Sequence, residues 1–168
     1  MAALTIPEVQ AIQAQLATMQ SKRVRLMKGL EALLKTITTA KGYTTNVESV
    51  SFDVKSWRDL PADQTPVIYI VDGSTQITRH AGCIREYVWK IELFGCVKDK
   101  DFISFEEFIS DVEQCIYDNR SLFGEVNKME IVDIVTDNQL FSEINGNGSR
   151  LYSMFVDLEF TRKVDNSR

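Results

Sequence analysis

The chain has 168 residues, 44% hydrophobic and 26% charged, with a formal net charge of −5. That balance is ordinary for a globular domain long enough to bury a core without a disulfide or metal staple, and it excludes a low-complexity chain. No apolar run approaches the ~20 residues that span a bilayer, and Cys83, Cys96 and Cys115, widely spaced and without a CxxC pair, exclude a disulfide framework and a zinc site.

The charge is uneven. Residues 1–41 hold Lys22, Arg23, Arg25, Lys28, Lys35 and Lys41 against Glu8 and Glu31, a balance of +4, so the remainder carries −9. An acidic body disfavours tight binding to nucleic-acid phosphates. The start MAALTIPEVQAIQAQ has neither a basic lead nor an apolar stretch, so no secretory signal is expected and folding in the cytoplasm is.

Residues 5–39 read as a long N-terminal helix. Val9, Ile12, Leu16, Met19, Leu26, Leu30, Leu33 and Ile37 form a heptad-like stripe, interrupted at Arg23. Thr5 and Glu8 match a capping box, and Pro7 is tolerated in a first turn. Unbroken, this helix would be about 50 Å long, against roughly 30 Å for the globule. Either it breaks near Gln20-Ser21 or its first turns project. Residues 1–20 then form a helical extension, suited to a partner contact or to packing on its own domain. Gly42 is placed to end the helix.

Residues 48–54 alternate as a short strand, and residues 57–65, containing Pro61, read as a loop. Trp57 in that loop is either an interface anchor or packed beneath it. Residues 66–71, PVIYIV, form a continuous apolar run of strand length. The polar stretch 72–82 reads as a long hairpin connection leading into residues 84–98.

This last segment is the clearest strand. Tyr87, Trp89, Ile91 and Leu93 occupy one parity, while Glu86, Val88, Lys90 and Glu92 occupy the other. The period then changes. Phe105, Phe108, Ile109, Val112, Cys115 and Ile116 mark one face of a helix, with Ser104 and Glu107 as a capping box. Residues 119–128 connect to a strand at 130–136. A second long loop, 137–150, carries turn signals at Asn145-Gly146 and Asn147-Gly148. Residues 151–163 alternate again, with Tyr152, Met154, Val156, Leu158 and Phe160 on one parity, and 164–168 are expected as a disordered tail.

The expected fold is a single α+β domain over 1–168 with its core at 24–163. It has a mostly antiparallel sheet of about 4–5 strands, with two main helices packed on one face. Tyr87, Trp89, Ile91, Met154, Val156 and Leu158 should face the helices.

Catalytic chemistry is not legible. His80 is the only histidine, beside Arg79 and without an orienting partner. There is no GxGxxG, phosphate loop, HExxH or EF-hand spacing. No catalytic, cofactor or metal residue is therefore assigned, and no cofactor is expected. Glu106, Glu107, Asp111, Glu113 and Asp118 on the second helix read as a solvated outer face. The sheet's polar parity is acidic: Glu86, Glu92, Asp157 and Glu159 against Lys90 and Lys163.

Five stretches together carry a family likeness: RLMKGLEALLKTI, PVIYIVDG, REYVWKIELFGCVKD, FEEFISDVEQCIYD and SRLYSMFVDLEFTRKV. Over residues 24–163 this arrangement resembles the tail terminator proteins of long-tailed bacteriophages and the related tail-completion and neck proteins. The resemblance implies a homo-hexameric ring without catalysis. Such a ring caps the tail tube and joins it to the head. It implies a place in the virion after assembly in the host cytoplasm. The implied partners are other copies of the chain, the tail tube protein and neck or connector proteins. DNA passes without specific binding, and no membrane is involved.

On that reading the candidate subunit interface comprises Lys22, Arg25 and Lys28 against Glu107 and Asp111, with Arg79, His80 and Phe141 from the two long loops. The candidate channel lining is Glu86, Glu92, Asp157 and Glu159. The alternative is a monomeric or dimeric α+β domain that binds a small ligand or peptide, which would need an enclosed apolar pocket.

Overall fold

Alternation along residues 84–97 and 150–163 sets the architecture, because each strand has one apolar parity to bury. The computed structural model describes residues 4–54, 57–82, 84–137 and 148–163. Its elements are α1 (Ile6–Ala17), α2 (Lys22–Leu34), β1 (Ser49–Ser51), β2 (Val67–Ala81), β3 (Ile84–Val97), α3 (Phe102–Asp118), β4 (Lys128–Asp137) and β5 (Arg150–Lys163). The sheet order is β1-β2-β3-β5-β4. The β1–β2 pair is parallel and the other three pairs are antiparallel, so the α+β sheet is mixed.

The two long strands pair with Trp89 opposite Leu158, Ile91 opposite Val156 and Leu93 opposite Met154. These side chains and Tyr152 are buried in one core with Leu26, Leu30 and Leu33 of α2 and Phe105, Phe108 and Val112 of α3. Tyr87 packs at its margin. The expected helix-facing set is the observed one.

The long N-terminal helix does not form. α1 has 12 residues and α2 has 13, separated by a break over residues 18–21. The Thr18 hydroxyl donates to the Gln15 carbonyl at 2.7 Å. The Ser21 hydroxyl then accepts from the Val24 N–H and starts a new helix. The break folds α1 back on its own domain, where Leu16 is only 2% exposed. Leu16 and Leu122 both close on Gly29, where no side chain stands between the elements. Gln13 Nε2 donates to the Phe123 carbonyl at 2.9 Å, and Lys41 pairs with Glu8. α2 ends at Leu34, and Gly42, at φ 86°, closes a separate 3-10 turn over Thr39–Lys41.

Residues 72–82 are not a loop. β2 continues through Ala81 and turns tightly at Gly82, with φ 60°. Its polarity has a physical cause: residues 72–78 are exposed on both faces of the strand. Bulges interrupt its pairing between Asp72 and Thr75 and between Ile77 and Arg79. At Gly73 a Cβ would stand 2.3 Å from the Lys90 carbonyl oxygen, so the first bulge requires glycine.

Two smaller expectations differ from the structure, and one alternative is decided. β1 is three residues long, shorter than the expected 48–54. α3 is capped by Asp101, whose carboxylate accepts the Ser104 N–H at 2.7 Å, and not by a Ser104–Glu107 box. Trp57 packs on its own chain. With Leu60, Val71 and Phe94 it covers a small second core of Val67, Tyr69, Cys96 and Leu151 on the sheet's other face. Buried Lys98 holds that cover down by donating to the Arg58 and Leu60 carbonyls. Of the expected loop at 137–150, Asp137 and Arg150 belong to β4 and β5, and residues 138–147 lie outside the described residues, as does the expected disordered tail at 164–168.

Candidate functional site

Beyond the small second core, the outer sheet face is left open by the helices, and its parity is the charged one. Register places Lys90 opposite Asp157, Glu92 opposite Phe155, Val88 opposite Glu159 and Glu86 opposite Thr161. All four expected channel-lining carboxylates thus share one face. β4 adds Lys128 opposite Glu159, Glu130 opposite Asp157 and Asp133 opposite Phe155. Glu130 and Asp133 were missed because a bulge between Ile131 and Asp133 breaks the alternation that would have announced them. The Ser153 hydroxyl donates to Glu92 at 2.6 Å, and Lys128 pairs with Glu130. The hydrogen bond from Lys128 holds the Glu130 carboxyl below the usual range. Six carboxylates therefore share this face with two ammonium groups, Lys90 and Lys128.

The expected subunit interface is distributed differently. Lys22 and Arg25 are occupied within the chain: their side chains meet the Glu125 carboxylate at 2.8 and 3.1 Å. Arg25 also donates to the Met19 carbonyl at 2.9 Å. Lys28 pairs with Glu31 one turn on, at 2.7 Å. Asp111 is not on the outer face of α3 but only 6% exposed. Its carboxylate accepts the Thr44 and Thr45 N–H groups at 3.0 and 2.7 Å and both threonine hydroxyls at 3.2 and 2.7 Å. Position 111 lies beside the apolar stripe of Phe108, Val112 and Cys115, so a small rotation of the helix brings it inside. Glu106, Glu107, Glu113 and Asp118 are exposed. Arg79 and His80 belong to β2, and their side chains lie outside the described residues, as does Phe141.

The Lys22–Arg25–Glu125 cluster joins α2 to the turn before β4. Partial burial alone would raise the Glu125 carboxyl, but hydrogen bonds from Lys22 and Arg25 outweigh it and hold the group below the usual range. A depressed carboxyl stabilises the fold above its unfolded pKa, and that contribution is lost as pH falls through the folded value. Glu125→Gln should therefore destabilise the chain by about 1–2 kcal/mol at pH 7. The gap from wild type in urea denaturation should shrink below the unfolded carboxyl pKa of about 4.3. A gap that is constant down to strongly acid pH would contradict the ion-pair assignment.

A basic cleft was not visible in the sequence. About 650 Å³ in volume, it is lined by Lys22, Arg23, Arg25, Arg162 and Lys163 around the start of α2. Arg23 is fixed beside it. Its guanidinium lies 4.2 Å from the Trp89 ring centre and 3.0 Å from Asp72, which also accepts the Trp89 indole N–H at 2.7 Å. The cleft residues come from opposite ends of the chain, and no local spacing signals that they meet.

The two thiols among the described residues offer little chemistry. Burial pushes Cys96 and Cys115 up to about 11, so both remain protonated near neutrality. Among the described residues no three His, Cys, Asp or Glu side chains stand close enough to hold a metal ion. No family model matches the chain, and no curated protein matches it.

Proposed function

We propose that this chain is the structural subunit of a ring that terminates a phage tail tube and joins it to the neck, with the acidic sheet face lining the channel. Its partners on this reading are copies of itself, the tube protein and the neck proteins, and it performs no catalysis. The observation that carries the reading is the open outer face with its six carboxylates. A duct for DNA must not hold phosphates, and a net acidic lining avoids the counterion-release attraction of a basic one. A flat β face also suits a lining, because its side chains project in regular rows. The ligand-binding alternative needs an enclosed apolar pocket, whereas four of the best-formed clefts among the described residues open to solvent.

Light scattering after size-exclusion chromatography, followed by negative-stain imaging, tests the reading. Wild type should give closed rings, alone or with tail tubes, and should not retain duplex DNA. Glu86→Lys with Glu159→Lys should keep the ring and add salt-sensitive DNA retention, losing roughly tenfold or more in affinity from low to moderate salt. A wild-type chain that stays monomeric with tail tubes present would refute the ring.

A further inference from the structure

The basic cleft holds cations that nothing in the described chain satisfies. Arg85 of β3 and Arg162 of β5 stand directly opposite each other in the ladder, on the parity of Tyr87 and Phe160. Like charges in that arrangement repel and destabilise the pair. Neither of them, nor Lys163, has an ion-pair or hydrogen-bond partner among the described residues. Beneath them Tyr87 and Phe160 stack at 5.2 Å and 10°, giving a rigid floor. The first turn of α2 forms the wall, and its N–H groups add partial positive charge. No carboxylate is among the residues that line this cleft.

The same chain carries a matching surface. α3 exposes Glu106, Glu107, Glu113 and Asp118, and no lysine or arginine occurs between Asp101 and Arg120. At 100° per residue Glu106 and Glu113 fall on one stripe, and Glu107 and Asp118 on the next. None of the cleft-lining residues belongs to α3, so a chain cannot close this contact on itself through the cleft as it stands.

We infer that the cleft formed by Arg162, Lys163 and the start of α2, with Arg85 opposite Arg162 in the ladder, receives the acidic ridge of α3 from a second copy of the chain. The contact joins two different patches, and such a heterologous interface propagates into a ring when its rotation closes. A carboxylate-bearing helix suits the cleft better than a free polyanion does. The chain is net −5, and its sheet face and ridge repel extended phosphate chains. This inference rests on the ring reading and supplies its subunit contact. Lys22 and Arg25 shape the cleft but are held by Glu125, so the association should depend on Arg162 and Lys163.

The test is a charge swap in the full chain, read by light scattering at low and high salt. Arg162→Glu with Lys163→Glu should weaken association at least tenfold at low salt with a thermal midpoint no lower than that of wild type, because neither side chain has an internal partner to lose and Arg162→Glu removes the repulsion from Arg85. Glu106→Lys with Glu113→Lys, placed independently on α3, should weaken it similarly. Combining all four substitutions should restore the oligomer. If wild type forms rings and both double variants keep them, this contact is wrong while the ring reading stands. If wild type never associates, both fall. If rings persist but the Arg162→Glu, Lys163→Glu variant loses binding to inorganic polyphosphate, the cleft is a phosphate site and the inference is overturned.

Discussion

Gly95→Ala is expected to destabilise the chain by about 3 kcal/mol or more, beyond the usual range for overpacking. Gly95 lies opposite Tyr152 in the central ladder. A Cβ there would stand 2.0 Å from Cε1 and 2.4 Å from Cζ of the Tyr152 ring. The ring cannot retreat. It is 1% exposed and packs edge-on against Phe108 at 5.4 Å and tilted against Phe105 at 6.3 Å. Its buried hydroxyl has no hydrogen-bond partner among the described residues, which already marks a site where shape prevails over polarity. Either the β3–β5 ladder opens or the aromatic cluster rearranges. Urea denaturation should show the loss, and Gly95→Ala combined with Tyr152→Ala should lose less than the two single variants summed. A Gly95→Ala cost under about 1 kcal/mol would mean that the close approach is not real.

The second large effect is expected at Asp111. Asp111→Asn preserves volume but leaves one uncharged acceptor oxygen for the Thr44 and Thr45 N–H groups, and its NH2 replaces the second carboxylate oxygen, which accepts the Thr44 N–H at 3.3 Å. Hydrogen bonds to a charged acceptor are worth about 1.5–3 kcal/mol each, and a donor facing a donor adds to the loss. With the site partly open on the threonine side, a total near 2–3 kcal/mol is expected. Glu107→Gln, on the exposed face of the same helix, should change stability by no more than about 0.5 kcal/mol. Hydrogen exchange at the Thr44 and Thr45 amides should accelerate in the Asp111 variant alone. Equal behaviour of the two variants would return Asp111 to the surface, where simple helical spacing had placed it.

Both effects show how far sequence reasoning carries. The burial faces of β3, β5 and α3 were legible because periodicity is a local consequence of geometry. A residue two positions along a strand, or three to four along a helix, returns to the same side, so an apolar parity must find a core. The α+β class and the shared acidic face followed from that alone. The break between α1 and α2 was only half legible. Ser21 is a good cap, but whether α1 would project or fold back depended on Leu16 reaching Gly29 and, about a hundred residues away, Leu122.

Polarity misled where an element left the core. Residues 72–78 look like a loop because they are exposed on both faces, and only pairing with β3 makes them a strand. Charge partners were the least legible feature. Lys22 and Arg25 looked available to another subunit, and their real partner, Glu125, is a hundred residues distant. The basic cleft likewise joins the start of α2 to the end of β5. The sequence by itself determined which side of each regular element is buried, since that needs only the local repeat. Tertiary structure alone decided which charges neutralise one another and which stand unpaired, because Coulomb attraction depends on distances that the folded backbone sets.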